Sequence, residues 1–153
     1  MKILVFSDSH GNTKTMMELV ERHKPDRILH LGDVVRDAYT LREAFPDIPL
    51  DLVRGNCDGW LPEPEELHVT LEGRKLFLCH GHTYHVKYDW GEAAIAARAE
   101  GANILLFGHT HQAMCTYKKG LWIMNPGSVR GWDASYGVII LDGENTVCYT
   151  NPV

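Results

Sequence analysis

Five short motifs in this chain contain side chains that bind metal ions in proteins. Each motif combines aspartate, asparagine or histidine with small neighbours such as glycine, serine or cysteine. In chain order the motifs are Asp8-Ser9-His10, Gly32-Asp33, Gly55-Asn56-Cys57-Asp58, Cys79-His80-Gly81-His82 and Gly108-His109-Thr110-His111. A mixture of carboxylate, amide oxygen and imidazole suits Mn²⁺, Fe²⁺, Co²⁺, Ni²⁺ or Zn²⁺. It contains too much nitrogen for a dedicated Ca²⁺ or Mg²⁺ cage.

Nearly every motif follows a short apolar run that predicts a buried strand. These runs cover residues 3–6, 28–31, 50–53, 76–78 and 104–107. Because the carboxyl ends of parallel strands meet at one edge of an α/β sheet, where ligands bind, we expect the motifs to converge there. A single Asp-x-His motif would be interpreted as an ordinary turn, but the joint pattern favours a metal site for two ions.

The spacing within two of the motifs suits metal binding. Side chains at positions i and i+2 point to the same side of an extended backbone, so Asp8 and His10 can reach one ion. His109 and His111 have the same spacing, with alpha carbons about 6.6 Å apart at the usual strand rise. The ions of two-metal sites lie about 3.5–4 Å apart. The two imidazoles can therefore serve one ion or two neighbouring ions.

The order of the predicted elements indicates an α/β fold. Strands at 2–6, 27–31 and 50–53 alternate with helices at 13–24 and 37–45, which predicts a parallel sheet with right-handed crossovers. The second half is richer in antiparallel strands. It contains a hairpin around Gly73, a helix at 89–100, and strands at 104–107, 113–118, 121–125, 136–142 and 145–149. We therefore expect two packed sheets flanked by helices.

Composition and charge disfavour several classes of protein. The 153 residues suit one domain, so we expect a single domain over residues 1–153. The net charge of −5 argues against a broad nucleic-acid surface. No apolar stretch approaches the ~20 residues of a membrane helix, and the N-terminal apolar run is too short for a signal peptide. We therefore expect a cytoplasmic protein without membrane contact.

The four cysteines form no Cys-x-x-Cys pair, which disfavours a thiolate zinc site.

The ordered motifs DxH, GD, GN, GH and GHxH resemble those of the calcineurin-like metallophosphoesterase superfamily. The chain length and the opening Asp8-Ser9-His10-Gly11-Asn12 resemble its small single-domain branch, the YfcE-like phosphodiesterases. Relatives of that branch include the retromer Vps29-type scaffold subunit. The resemblance runs from Ile3 to about Leu141. It implies a four-layer α/β/β/α sandwich, in which two packed mixed β-sheets are flanked by helices, and a site for two metal ions.

Matched motif by motif, the resemblance implies seven metal ligands in two overlapping sets. One ion would be bound by Asp8, His10, Asp33 and His111. The other ion would be bound by Asp33, Asn56, His80 and His109. Asp33 would bridge the two ions, and the residues of the second set would also take part in catalysis. The ions are expected to be Mn²⁺, with Ni²⁺, Co²⁺, Fe²⁺ and Zn²⁺ as alternatives.

One position departs from the pattern of the wider superfamily. Where the common motif is Gly-Asn-His-Asp or Gly-Asn-His-Glu, this chain has Cys57. The family histidine usually contacts the substrate phosphate and protonates the leaving group, so acid catalysis at this position is in doubt. Cys57 could still lie near the substrate, His82 could partly compensate, and Arg130 could reach a phosphate.

Asp58 is predicted to orient a histidine ligand or, as the alternative, to be a solvated turn carboxylate. Histidines 23, 30 and 68 are interpreted as packed or surface residues.

The motifs and the resemblance together predict a metal-dependent phosphodiesterase. Two divalent ions, the carboxylates of Asp8 and Asp33 and a bridging hydroxide leave about one positive charge, which attracts a phosphate oxygen. The hydroxide would attack phosphorus. The expected partner is a small phosphodiester or nucleotide-like substrate, and a homo-oligomer is left open. The alternatives are a phosphomonoesterase or nucleotide phosphatase on the same metal core, a nuclease, which the charge disfavours, and a scaffold that has lost the chemistry.

Overall fold

Ten strands and three α-helices make up the computed structural model, which describes residues 1–153. The strands are β1 (Lys2–Phe6), β2 (Arg27–His30), β3 (Leu50–Leu52), β4 (Glu66–Leu71), β5 (Arg74–Cys79), β6 (Ile104–Leu106), β7 (Met114–Lys118), β8 (Leu121–Asn125), β9 (Ser135–Asp142) and β10 (Asn145–Pro152). The helices are α1 (Thr13–His23), α2 (Val35–Ala44) and α3 (Gly91–Ala99), and a short 3-10 helix covers His82–Tyr84. None of the helices combines the length and the apolar character needed to cross a membrane.

Both sheets are mixed and have five strands each. The first sheet has the order β10-β9-β1-β2-β3, in which β1, β2 and β3 are parallel and β9 runs antiparallel to both of its neighbours. The second sheet has the order β4-β5-β6-β8-β7, in which β5, β6 and β8 are parallel and the two edge strands are antiparallel. Each sheet therefore presents a set of parallel strands whose carboxyl ends point the same way.

Alternation along the strands divides the core into three layers. On β1, Ile3 and Val5 face the second sheet and share the central core with residues of β5 and β6. Leu4 and Phe6 face the other way and pack against α1 and α2. Side chains of a strand alternate between its faces, so a strand buried on both faces reads as a continuous apolar run. This is why the sequence shows such runs before nearly every motif.

The helices close the outer layers. Met16, Leu19 and Val20 recur at helical spacing on α1 and are buried against the first sheet. Alanines of α3 pack against the second sheet around Phe77 and Leu105. The observed order is helices, sheet, sheet, helix, which is the predicted α/β/β/α sandwich.

Several element boundaries differ from the prediction, and contacts made in the fold explain two of the differences. Helix α2 begins at Val35, two residues before the predicted start, because its first N–H donates to Asp58 Oδ1 at 2.8 Å. Strand β10 continues to Pro152, past the predicted end at 149, because it pairs along the whole of β9, up to the pair of Pro152 with Ser135. Neither partner is close in sequence, so local propensity could not show either boundary.

Candidate metal centre

The loops after five parallel strands meet at one edge of the sandwich. Within the first sheet, the N–H of Asp8 donates to the carbonyl of Gly32 at 2.9 Å, which joins the loops after β1 and β2. Between the sheets, His80 Nδ1 lies 2.8 Å from the carbonyl of Leu31. The motifs therefore converge as predicted, but the edge is made by two sheets rather than one.

The first cluster contains Asp8, His10 and His111. One potential ligand atom of each lies within 4.8 Å of those of the other two. His111 Nε2 is 3.2 Å from Asp8 Oδ1, and the two imidazole rings have centroids 5.5 Å apart. Asp8 is fully buried, whereas His111 is exposed. An ion here would have a buried carboxylate on one side and open solvent on the other.

The second cluster contains Asp8, Asp33 and His80, all of them buried, again with ligand atoms within 4.8 Å of one another. His80 Nε2 lies 3.4 Å from Asp33 Oδ2 and 3.8 Å from Asp8 Oδ1. Asp8 thus belongs to both clusters. The resemblance gave the bridging position to Asp33 alone, and that assignment stays a prediction; in the structure Asp33 belongs only to the second group, and Asp8 is the residue that the two groups share.

Of the remaining two predicted ligands, His109 lies beside the second cluster, whereas the side chain of Asn56 contacts Cys57. His109 Nδ1 is 3.2 Å from His80 Nε2, so these two imidazole nitrogens face the same point. Asn56 is exposed on the loop after β3, and its amide nitrogen donates to Cys57 Sγ at 3.6 Å. The same loop reaches the cluster through the N–H of Cys57, which donates to Asp33 Oδ1 at 2.9 Å.

The tautomer of His80 is fixed by its environment. A carbonyl oxygen can only accept, so the contact with Leu31 requires the hydrogen on Nδ1. Nε2 is then the ring nitrogen that faces Asp8 and Asp33, and it is the one available to a metal ion when the ring is neutral. A ligating histidine commonly donates its second ring N–H in this way, which orients the ring and increases its basicity.

One buried atom tests whether this site suits a cation. Asp8 Oδ2 accepts from Ser7 Oγ at 2.6 Å and from the N–H of His109 at 3.1 Å. Asp8 Oδ1 is also buried but has no hydrogen-bond partner. An unpaired buried polar atom costs about 1–3 kcal/mol, and more if charged. A metal ion beside Oδ1 would remove this penalty, so the residues fit the ions that the motifs predict.

The pKa shifts of His80 and Asp33 also indicate that this site favours positive charge. Burial works against a charged imidazole at His80, but the hydrogen bond to Asp33 and the charges of Asp8 and Asp33 raise its pKa overall. Burial likewise opposes ionisation of Asp33, yet His80 and the N–H of Cys57 lower the pKa of this carboxyl. Burial and the neighbouring His80 lower the pKa of His109, which favours the neutral form that binds metals.

The predicted ligands are distinguished more clearly by their backbone conformation than by their spacing in the sequence. Five of the seven predicted ligands have positive φ: Asp8 (53°), His10 (42°), Asp33 (45°), His109 (69°) and His111 (60°). Residues other than glycine rarely adopt this region, and each such residue costs roughly 1–3 kcal/mol. Strain of this kind gathers at functional sites, where the surrounding structure stabilises it. The sequence gives no sign of it.

Two glycines are required for space. A Cβ on Gly55 would lie 2.1 Å from Asp33 Oδ1. A Cβ on Gly108 would lie 2.0 Å from Ser7 Oγ and 2.8 Å from Asp8 Oδ2. At both positions the backbone approaches a carboxylate of the site, so any side chain would displace a predicted ligand or its support.

Asp58 has a role other than either one predicted. It neither orients a histidine nor lies in solvent: it is buried and accepts three backbone N–H groups. Oδ2 accepts from Asp33 at 2.9 Å and from Gly55 at 2.6 Å, and Oδ1 accepts from Val35 at 2.8 Å. Asp58 therefore fixes the loop of Asp33 against the loop of Asn56.

A second supporting network contains a histidine that the sequence analysis treated as ordinary. His30 is fully buried; its Nδ1 accepts from the N–H of Gly32 at 3.1 Å, so Nε2 carries the hydrogen and donates to Ser9 Oγ at 3.0 Å. Ser9 Oγ in turn donates to Asp37 Oδ2 at 2.7 Å. Burial lowers the pKa of His30 to about 4. The sequence feature that could have indicated this role is a polar residue, His30, within the apolar run of β2.

The three predicted substrate contacts lie around the clusters. Cys57 is exposed, and partial burial together with Asp33 raises the pKa of its thiol. The ring of His82 has its centroid 5.6 Å from that of His80, and its buried Nδ1 has no partner. Arg130 is exposed and donates from Nη1 to the carbonyl of His10 at 3.3 Å. All three neighbour a predicted ligand, and their role as substrate contacts stays a prediction.

The loop at residues 125–128, which matches the family pattern, supports Asp8. Ser128 Oγ donates to the carbonyl of Asp8 at 2.8 Å. Asn125 Nδ2 donates to the carbonyl of Gly108 at 3.0 Å. In the structure the loop at residues 125–128 thus joins the loops after β1 and β6.

Comparisons with known proteins agree with this architecture. Residues 1–146 match the family model described as the calcineurin-like phosphoesterase superfamily domain. Phosphodiesterase YfcE of Escherichia coli strain K12 is 30% identical over 170 aligned positions, covering 91% of this chain and 87% of that protein. These matches confirm the resemblance predicted from the five motifs.

Two solved structures share the fold. A predicted phosphoesterase from Streptococcus pneumoniae superposes with a TM-score of 0.83 at 28% identity, covering 99% of this chain and 88% of that chain. Vps29 from Entamoeba histolytica, solved as a complex with zinc, superposes with a TM-score of 0.79 at 19% identity, covering 99% of each chain. The second similarity concerns the fold alone. The predicted sandwich and its relation to the Vps29-type fold are confirmed.

Proposed function

We propose that this chain, which belongs to the calcineurin-like phosphoesterase superfamily, hydrolyses a small phosphodiester at a centre for two divalent metal ions. Family membership makes the protein a phosphoesterase. The two-ion centre, the preference for diesters and the use of Mn²⁺ are our proposal. The observation that supports it most strongly is Asp8 Oδ1, a buried carboxylate oxygen without a partner that is shared by two groups of ligands.

The residues around the centre have separate tasks. Asp8, His10, Asp33, Asn56, His80, His109 and His111 would bind the ions. The ions, when bound, would supply an activated water and neutralise charge on the phosphate. His80 donates Nδ1–H to Leu31, which leaves Nε2 as the ring nitrogen that would bind an ion, and Asp58 keeps Asp33 in place. We assign contacts with phosphate oxygens to Arg130, which donates to the carbonyl of His10, and to His82, whose ring lies beside that of His80.

The thiol at position 57 supports a preference for reactive diesters. The raised pKa of Cys57 keeps this thiol protonated at neutral pH, so it would be a much weaker acid than an imidazolium. We therefore propose that substrates need a leaving group that departs without protonation, as an aryl oxide does. A cytoplasmic location and a nucleotide-like substrate also belong to this proposal.

The test is metal binding and hydrolysis by one preparation. Mn²⁺ should bind with a stoichiometry of two per chain and should stabilise the fold, by about 2.7 kcal/mol for each bound ion at one hundred times its dissociation constant. The loaded protein should hydrolyse bis-p-nitrophenyl phosphate faster than an alkyl monoester. Asp8→Asn should abolish both properties, whereas Asp142→Asn, an exposed carboxylate at the opposite edge, should change neither. A stoichiometry of one, or faster hydrolysis of the monoester, would contradict the proposal.

A further inference from the structure

A cavity of about 460 Å³ opens beside the metal centre. It lies between the start of α2 and the loop after β3, and it is lined by Val34, Arg36, Cys57, Asp58, Trp60 and Leu61. Binding sites for small molecules typically measure about 300–1,000 Å³. The cavity is therefore large enough for one flat ring system.

Two residues of the lining join the cavity to the metal centre. The N–H of Cys57 donates to Asp33 Oδ1 at 2.9 Å. Asp58 Oδ2 accepts the N–H of Asp33 at 2.9 Å. The wall of the cavity thus begins at a predicted ligand of the ions, so a substituent on a phosphate bound there can extend directly into it.

The lining is apolar, with one free cation at its rim. Val34, Trp60 and Leu61 supply apolar surface, and the side chain of Trp60 is 99% exposed. Arg36 is also exposed, and no carboxylate lies within ion-pair distance of its guanidinium. An indole in water gains free energy when a ring stacks on it, and a guanidinium plane adds to such stacking.

Resting on the proposed function, we infer that this cavity binds an aromatic ring carried by an ester substituent of the phosphate, stacked on Trp60. Aryl and nucleobase groups share this chemistry. An aliphatic substituent would leave the indole in water and would therefore gain much less binding free energy. Trp60 is then a specificity-determining residue, outside the seven predicted metal ligands.

The first test measures binding without hydrolysis. Phenylphosphonate and methylphosphonate cannot be cleaved as esters, and they differ only in the ring. With Mn²⁺-loaded protein, we expect phenylphosphonate to bind about tenfold more tightly by calorimetry, as stacking of one ring provides. Trp60→Ala should reduce this ratio to within about twofold, and Trp60→Phe should retain most of it.

The chain offers a matched control at Trp132, which is also 99% exposed but does not line the cavity. Trp132→Ala should keep the tenfold ratio. If Trp60→Ala keeps the ratio as well, or if Trp132→Ala loses it equally, the inference is overturned.

A second pair of ligands identifies the source of the ring. If AMP binds more tightly than ribose 5-phosphate and Trp60→Ala removes the difference, the ring is a nucleobase; if only the phenyl pair responds, it is a small aryl group. Both outcomes support the inference. Absence of Mn²⁺ binding and of ester hydrolysis would overturn the proposed function together with the inference, whereas hydrolysis with no ring preference would overturn the inference alone.

Discussion

Replacing Asp58 by asparagine should weaken metal binding although Asp58 is not a predicted ligand. The carboxylate accepts N–H groups from Asp33, Gly55 and Val35 at 2.9, 2.6 and 2.8 Å. Asparagine has nearly the same shape but only one acceptor oxygen. At best this oxygen keeps the two donors at Oδ2, and the amide nitrogen then faces the N–H of Val35.

The size of the effect follows from these contacts. A hydrogen bond to a charged acceptor is worth about 1.5–3 kcal/mol. One such bond is lost, a buried N–H is left opposite another donor, and two bonds become neutral. We expect the free energy of unfolding of the metal-free protein to fall by about 2–4 kcal/mol. Because the Asp33 loop is loosened, Mn²⁺ affinity should fall about 10–100-fold.

Two assays separate these effects. Urea unfolding in the presence of chelator gives the stability, and competition with a chromogenic chelator gives the Mn²⁺ affinity. Asp89→Asn is the matched control, because Asp89 accepts a single backbone N–H, from Gly91 at 2.7 Å, on the exposed surface. It should leave Mn²⁺ affinity unchanged. The reasoning is refuted if Asp58→Asn is destabilised but binds Mn²⁺ as tightly as the wild type.

Three further substitutions test the structure around the centre. Gly108→Ala places a Cβ 2.0 Å from Ser7 Oγ, so it should lower the free energy of unfolding by about 1–3 kcal/mol and Mn²⁺ affinity at least tenfold, in the same two assays. His30→Gln should remove a pH dependence. The pKa of His30 is about 4 in the folded protein and 6.5 when unfolded, so the unfolded chain binds the extra proton between these values, and the contribution of His30 to stability falls by about 3 kcal/mol as pH drops from 7 to 4. Urea unfolding of metal-free protein across this range should show a smaller fall in the variant. Cys57→His should increase hydrolysis of alkyl esters more than of aryl esters, because it supplies an acid for the poorer leaving group.

Each substitution has a control of similar size. In Gly91→Ala the added Cβ meets only the Oδ1 atom of Asp89, at 2.9 Å on the exposed surface, and metal affinity should not change. Asn103→Gln, an exposed substitution that removes no ionisable group, should keep the wild-type pH dependence between 7 and 4. Cys57→Ser should not increase hydrolysis of alkyl esters. Equal effects in a variant and its control would contradict the corresponding explanation.

The sequence predicts the strands and the metal motifs for a common reason. β1 is buried on both faces, so its whole length reads as an apolar run that ends at Asp8. The order of such runs then predicts which side chains share an edge. What the sequence cannot show depends on distant partners. Asp58 caps α2 and anchors Asp33 because the loops after β2 and β3 meet, and no local pattern distinguishes it from a turn carboxylate.

The residues proposed to contact the substrate are equally difficult to predict from the sequence. Trp60 and Trp132 are both exposed tryptophans in loops, and only the structure shows that the first lines a cavity next to Cys57. Left-handed backbone at Asp8 and Asp33 is likewise a property of the folded loops. Residue type predicts the chemistry of the centre, whereas packing determines what reaches it.

The centre draws Asp8 and Asp33 from the first sheet and His80 and His109 from the second. A cation captured there would therefore link segments as far apart in the chain as Asp8 and His109, which are separated by 101 positions, and would restrict the unfolded chain as a cross-link does. Neither sheet alone provides the full set of ligands. Removal of the metal should consequently free the two sheets to separate more readily, and the supply of metal would set how long the folded protein lasts as well as how fast it works.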